Sequence, residues 1–431
     1  MLSLINNRLE ILLKSNFLTQ IKNSIFYFGS SVIHLIISLY TSPIFAKNLS
    51  TTDFAIIGYY LTIQSFLSIF FTFSFQSYYI NVFFKNSEKD RKKILSTIII
   101  FSTVFNLILS TIVFLALKLY FSETSVIIPS YPYQFLLIGI MYLNVYATLF
   151  EVNFRVNKKV INYFIFKIIL VFSNIVLALL FVVHYKMGAE GRMIATFLSQ
   201  FLYAIIAIIF LSKILTFKFS KIELKKAIRF SLPLVISSIF YFPIISLDNI
   251  YLEKLNNLNS LGLYNIGLNV ANYLFVMFFA IYQAIEPDIA KHTIQKNKSA
   301  LIRIIGLFSI ILCLCTLLFI LFSKTILNYL TAGIYTSAYY YANLLALSFF
   351  LVIIFSFLSC ILMHLQKTRL LFIINVIGGL SSFAVYYYLI SIYTFEGAAY
   401  GRIILFALMV LLCIFFISQR NKKWLRILRI S

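Results

Sequence analysis

Few residues of this chain could bind or react, and most of them stand alone inside long apolar runs. Lys167 and Asp248 are charges placed where their neighbours are almost all aliphatic or aromatic. Asn174 follows Lys167 by seven residues, two helical turns, so the two share one helix face. Asp248 lies ~27 Å along a helix that starts near Phe230, at 1.5 Å per residue. Pro243, five residues earlier, removes a backbone hydrogen bond and can open the helix there. A row of amides and one acid, Asn265, Asn269, Asn272, Gln283 and Glu286, steps by helical spacing with Val276 and Phe279 between them. Gln64, Ser68, Thr72, Gln76 and Tyr79 form a weaker row of the same kind. Such rows suit hydrogen bonding, either to a polar ligand or between packed helices. Glu151 and Arg155 stand four apart and read as a local ion pair. His34 and His364 read as packed or interfacial. Cys313, Cys315, Cys360 and Cys413 lie in apolar runs without CxxC spacing, which fits small buried side chains and no metal site.

The elements that must carry these residues follow from composition. The chain has 431 residues, 61% hydrophobic and 11% charged, whereas a water-soluble domain has about 25% charged residues. Continuous apolar runs of spanning length imply membrane helices, because ~20 residues cross the hydrocarbon. Twelve spans are expected, starting near Ser24, Phe54, Ile94, Phe135, Val160, Gly191, Phe230, Leu263, Leu301, Ala338, Leu370 and Ala398. The residues before Ser24, with Arg8, Glu10, Lys14 and Lys22, read as an amphipathic surface helix rather than a cleaved signal. Basic residues crowd alternate loops, as at Lys89 to Lys93, Lys213 to Arg229 and Arg420 to Arg429. The positive-inside rule then places both termini in the cytoplasm with an even number of spans. The formal charge of +23 is therefore an anchor to anionic lipid, and no nucleic-acid role is expected.

A repeat organises the spans. "GAEGRMIAT" (Gly188 to Thr196) and "GAAYGRII" (Gly397 to Ile404) each form a short polar break between apolar runs. Sliding the halves by about 207 residues pairs Gln76 with Gln283, and a drift of about three residues later pairs Arg192 with Arg402. Repeats separated by an even number of helices have the same orientation. The expectation is an all-α membrane protein with two pseudo-symmetric six-helix lobes around a central cavity. The lobes are 1–212 and 230–418, joined by a cytoplasmic linker 213–229 and followed by a basic tail 419–431. Both arginines read as residues at the outer head-group level.

These hairpins, together with "LSTTDFAIIGYY" (Leu49 to Tyr60), resemble the Wzx-like polysaccharide flippases of the multidrug/oligosaccharidyl-lipid/polysaccharide exporter superfamily. The stretch from Phe230 to Phe275, with Pro233, Asp248 and Leu261 to Tyr264, is similar to that family's seventh and eighth spans. "AIEPDIAK" (Ala284 to Lys291) fits as well, while Asn249 and Ala55 depart from residues common in the family.

The resemblance implies a carrier, not an enzyme. It would move undecaprenyl-diphosphate-linked oligosaccharide from the inner to the outer leaflet of the bacterial cytoplasmic membrane by alternating access, for O-antigen or capsule synthesis. No cofactor is implied beyond a coupling ion, H+ or Na+. The implied partners are the lipid-linked oligosaccharide, membrane lipids and a membrane polysaccharide polymerase. Lys167, Asn174, Gln64, Gln76, Asn265, Asn269, Asn272 and Gln283 would line the substrate cavity, Lys167 facing the diphosphate or snorkelling to the interface. Asp248 and Glu286 would serve ion coupling or gating. The alternatives are a cation-coupled drug exporter of the same superfamily and a membrane polysaccharide polymerase.

Overall fold

The computed structural model describes residue 29 and residues 32–123, 127–216 and 218–418, all of whose long elements are helices. The expected amphipathic start and the basic tail 419–431 lie outside the described residues. Helix α1 covers residues 32–48. It is followed by α2 (Thr51–Thr72), α3 (Phe75–Phe83), α4 (Glu88–Glu123), α5 (Tyr133–Val156) and α6 (Val160–Ala178). A π-helical turn, Leu179–His184, extends α6 before α7 (Gly188–Ser212). The second half holds α8 (Lys221–Glu253), α9 (Leu258–Ile294), α10 (Lys298–Leu330), α11 (Tyr339–His364) and α12 (Thr368–Ser418).

Among the described residues, ten helices are long and apolar enough to cross a membrane. At 51 residues, α12 would measure roughly 76 Å, far beyond a hydrocarbon core of about 30 Å. It is two helices, broken at Thr394, whose φ of 51° is non-helical. The second copy of the polar hairpin starts at this break. The first copy turns at Lys186 and Gly188, with φ of 55° at each. With α2 and α3 taken as one interrupted helix and the arms of α12 taken separately, the described residues form twelve long helices.

Left-handed residues stop most of these helices, as at Lys158, Asn256, Lys296 and Gln366, freeing the chain to turn back at once. Side chains then start the next helix. Ser50 Oγ accepts from Asp53 N at 3.2 Å while Asp53 Oδ2 accepts from Ser50 N at 2.8 Å, a reciprocal cap on α2. The Oδ1 atoms of Asn257 and Asn297 cap α9 and α10, accepting from Ser260 N and Ala300 N.

Contacts group the chain into two compact units. The first contains the described residues up to Asn48, Phe70–Tyr120 and Ser130–Leu232; the second contains Leu49–Ile69, Phe121–Pro129 and the chain from Pro233. Two successive left-handed residues, Phe73 and Ser74, separate α2 from α3. The lobes expected from the repeat follow chain order, whereas the contact groups assign residues 49–69, most of α2, to the second unit. Physical cause lies in small residues. A Cβ on Gly262 would collide with the Thr51 carbonyl, and one on Gly58 with the Asn265 amide. Thr51 Oγ1 donates to Asn259 Oδ1 at 2.6 Å, and Tyr335 OH donates to the Leu49 carbonyl at 2.5 Å.

In the first unit, Phe150, Phe154, Phe166, Tyr203 and Phe210 form a continuous ring cluster on α5, α6 and α7. At the α2/α3 break, Asn106 Nδ2 of α4 donates to the Phe71 carbonyl at 3.1 Å. The second unit buries Tyr264, Phe278, Phe357, Tyr386 and Phe406 completely or nearly so.

Candidate functional site: a polar cavity backed by a buried ion pair

A cavity of about 400 Å³ lies inside the second unit. Gly58, Leu61, Thr62 and Ser65 face it from α2, a spacing of three and four that presents one helix face. Tyr241, Ile245, Ser246 and Asn249 face it from α8, and Asn265, Asn269 and Asn272 from α9. Ser348, Phe349 and Val352 of α11 and Arg402 and Phe406 of the second arm of α12 complete it. Ser65 Oγ and Ser246 Oγ stand 3.4 Å apart and tie α2 to α8.

The charged element of the wall is Arg402, whose side chain is 7% exposed. Its Nη2 lies 3.1 Å from Asp248 Oδ2, and Asp248 is 0% exposed. Tyr264 OH donates to the same Oδ2 at 2.5 Å, and the Asn249 amide donates to Oδ1 at 2.9 Å. Arg402 Nη2 also donates to the Ile245 carbonyl, and Tyr386 OH donates to the Ile244 carbonyl at 2.8 Å. These two carbonyls immediately follow Pro243, so the helix accepts side-chain donors where the sequence places its proline. Each ion would cost several kcal/mol to bury alone. Here the carboxylate has donors on both oxygens. Two polar atoms remain without a partner among the described residues, Arg402 Nε and Asn249 Oδ1. Both belong to cavity-lining residues.

The chemistry this arrangement offers is recognition. Amides and hydroxyls present donors and acceptors, and a guanidinium balanced by a carboxylate adds a positive charge to the wall. Phe275 and Phe349, with ring centroids 5.0 Å apart, add an aromatic surface.

Of the residues picked out from the sequence, Asn265, Asn269 and Asn272 line this cavity. Asn265 is buried and donates through Nδ2 to the Leu261 carbonyl at 3.1 Å, while Asn269 and Asn272 are exposed. Gln283 and Glu286 are on α9 but do not line it; Gln283 lies roughly 16 Å beyond Asn272 at helical rise. Glu286 sits beside Tyr282 and Cys360. Gln64 is on α2 but off the lining face, which Gly58, Thr62 and Ser65 occupy instead.

Gln76, Lys167 and Asn174 belong to the first unit. Lys167 Nζ forms an ion pair with Glu151 Oε1 at 2.8 Å, and Tyr203 OH donates to the same oxygen at 3.3 Å. Glu151 thus pairs across helices with Lys167 and not with Arg155 one turn along its own helix, because Arg155 is at the exposed end of α5. Asn174 Nδ2 donates to Ser199 Oγ at 3.1 Å and to Thr196 Oγ1 at 3.4 Å. Gln76 has Oε1 buried without a partner among the described residues. Arg192 stacks its guanidinium 4.9 Å from the centre of the Phe45 ring.

Sequence reasoning missed Arg402 as a cavity residue, placing it at the head-group level. The structure buries it with Asp248. A usable signal existed: a lone acid in one apolar span and a lone base in another each need a partner.

The described helices define a multi-pass membrane protein whose fold is shared with solved flippase and multidrug-transporter structures. It is similar to the lipid II flippase MurJ in an inward closed conformation, with a TM-score of 0.69 and 14% identity over 93% of this chain and 88% of that one. It is also similar to an inward-facing multidrug resistance MATE family transporter of the MOP superfamily, at TM-score 0.66 and 13% identity over 92% and 94%. The Vibrio cholerae MATE transporter VcmN in its bent form matches at 0.61 and 12% over 93% and 98%. Residues 20–293 match the family model for polysaccharide biosynthesis proteins, and the chain belongs to that family. No curated protein matches the sequence.

Proposed function

We propose that this protein is a flippase that carries undecaprenyl-diphosphate-linked oligosaccharide from the inner to the outer leaflet of a bacterial cytoplasmic membrane. The polymer served is O-antigen or capsule, both termini are cytoplasmic, and a membrane polysaccharide polymerase takes the delivered units. The observation that carries the reading is a cavity walled by four asparagines and Arg402 in a polysaccharide biosynthesis family member.

Sugar hydroxyls cost several kcal/mol each to bury without partners, so an unassisted head group does not cross. Asn265, Asn269 and Asn272 exchange hydrogen bonds with those hydroxyls, and Arg402 faces the anionic diphosphate. Asp248 holds Arg402 in place and gates its release; Lys167 and Glu151 form a second exchangeable pair. Access alternates as two repeat lobes, 1–212 and 230–418, rock about the substrate. H+ or Na+ is the coupling ion, with Glu286 in that pathway.

A deletion strain should accumulate lipid-linked sugar units in the inner leaflet, and purified protein in liposomes should move them across. Accumulation of finished but unpolymerised units in the outer leaflet would instead assign a polymerase. Drug sensitivity with normal surface polysaccharide would assign a drug exporter, the reading that the MATE fold favours.

A further inference from the structure

A second hollow, sharing no residue with the cavity, lies where α9, α11 and α12 end and α10 begins. Its volume is about 510 Å³, within the range of about 300–1,000 Å³ usual for small-ligand pockets. Its interior is aliphatic, formed by Leu301, Ile305, Leu358, Ile361 and Ile417, with Ile302 at its margin 74% exposed. Gly306 leaves open room, since a Cβ built there would meet nothing within 4 Å.

The polar end of the hollow is of one sign. Lys296 and Lys298 line it and no acid does. Both belong to or adjoin the α9–α10 turn, whose shape is held by bonds of its own. Lys296, at φ 58°, donates its amide to the Thr293 carbonyl at 3.1 Å, and Asn297 Oδ1 caps α10 at Ala300 N. Neither lysine forms an ion pair among the described residues. An aliphatic slot opening at helix ends beside two uncompensated ammonium groups matches an amphiphile with an anionic head. Basic pockets between spanning helices bind anionic lipid head groups for this reason.

We infer that this hollow holds an anionic phospholipid of the surrounding bilayer. Its phosphate lies between Lys296 and Lys298, and one acyl chain runs along Leu301, Ile305 and Ile361 toward Gly306. The site depends only on the chain's residence in a membrane, and it stands or falls independently of what the protein transports.

The test is lipid retention by the full-length protein in detergent, read by native mass spectrometry during titration with phosphatidylglycerol or phosphatidylcholine. Phosphatidylglycerol should be held more tightly. Each lysine lost is expected to weaken it roughly fivefold, or about 1 kcal/mol, so the Lys296→Gln/Lys298→Gln variant should lose roughly thirtyfold. Gly306→Leu fills the slot with the charges intact and should weaken both lipids alike. Equal retention of the two lipids by the parent protein overturns the proposal without any variant. So does unchanged phosphatidylglycerol binding in the double lysine variant. Displacement by inorganic phosphate alone would reduce the site to a simple anion site, and tighter binding of undecaprenyl phosphate would assign the slot to the transported lipid. Either result refutes a phospholipid site.

Discussion

Removing Arg402 while Asp248 stays buried leaves an uncompensated carboxylate, and the reverse change leaves an uncompensated guanidinium. Arg402→Ala and Asp248→Asn are each expected to cost about 3–5 kcal/mol, lowering the thermal midpoint of the purified protein. The Asp248→Asn/Arg402→Gln double variant should recover much of that stability, because two neutral side chains can hydrogen-bond. Transport should remain lost, since the cavity no longer presents a cation. Single variants as stable as the parent would remove the pair from any structural role. Asn269 and Asn272 behave differently. They already face open space, so alanine there should shift stability by a few tenths of a kcal/mol while reducing flipping. Thiol reagents should reach cysteines at both positions, whereas Ala271→Cys and Phe278→Cys should resist them, both residues being fully buried. The three asparagines were legible in the sequence because amides at helical spacing stand out among aliphatic residues. Arg402 was not. Its hairpin reads as a polar break at head-group level, and its partner is separated by 154 positions. Residue spacing along one helix carries no information about such a pair.

Among elements, the approach of α2 to α9 rests on absent side chains. Gly262→Val must push the Thr51 backbone away, and overpacking of this kind costs typically about 1–3 kcal/mol. The Thr51–Asn259 hydrogen bond of 2.6 Å offers a direct probe. Cysteines at Thr51 and Asn259 should cross-link readily in the parent and poorly when Gly262→Val is added. Flipping arrested by the cross-link and restored by reductant would show that this contact opens in each cycle; undiminished flipping would make it permanent. The lining face of α2 was misread for a physical reason. The sequence row Gln64, Ser68, Thr72 and Gln76 assumes one uninterrupted helix, but Phe73 and Ser74 are left-handed and reset its phase. Neither is glycine or proline, so nothing local announces the break. Most of the other boundaries were legible, because charged turns such as Lys158–Lys159 and Lys296–Lys298 interrupt apolar runs clearly.

For the whole molecule, the repeat predicts that residues 1–212 superpose on 230–418 with Arg192 over Arg402 and Gln76 over Gln283. An experimental structure in which those pairs fall apart would end the repeat hypothesis while leaving the fold intact. The two arginines already differ in company, one over an aromatic ring and the other against a carboxylate, so equal backbone positions would carry unequal chemistry. Sidedness has its own check. Cysteines at Ser50 and Asn257 should react from outside the cell, and those at Lys89 and Lys298 only after permeabilisation.

The membership of residues 49–69 in the second unit has a consequence for biosynthesis. Those residues leave the ribosome almost 190 positions before α9, whose start at Leu258 supplies their contacts. At about 5–20 residues per second, this span waits roughly 10–40 s in the bilayer with Gly58 and Thr51 unmatched by their α9 neighbours. Its membrane insertion must therefore tolerate a half-made state, and a chaperone or insertase has that interval in which to act. Expressed alone, a 213–431 fragment would never receive its missing helix. Co-expression with 1–212 should protect it from proteolysis, and co-expression with a fragment ending at Asn48 should not.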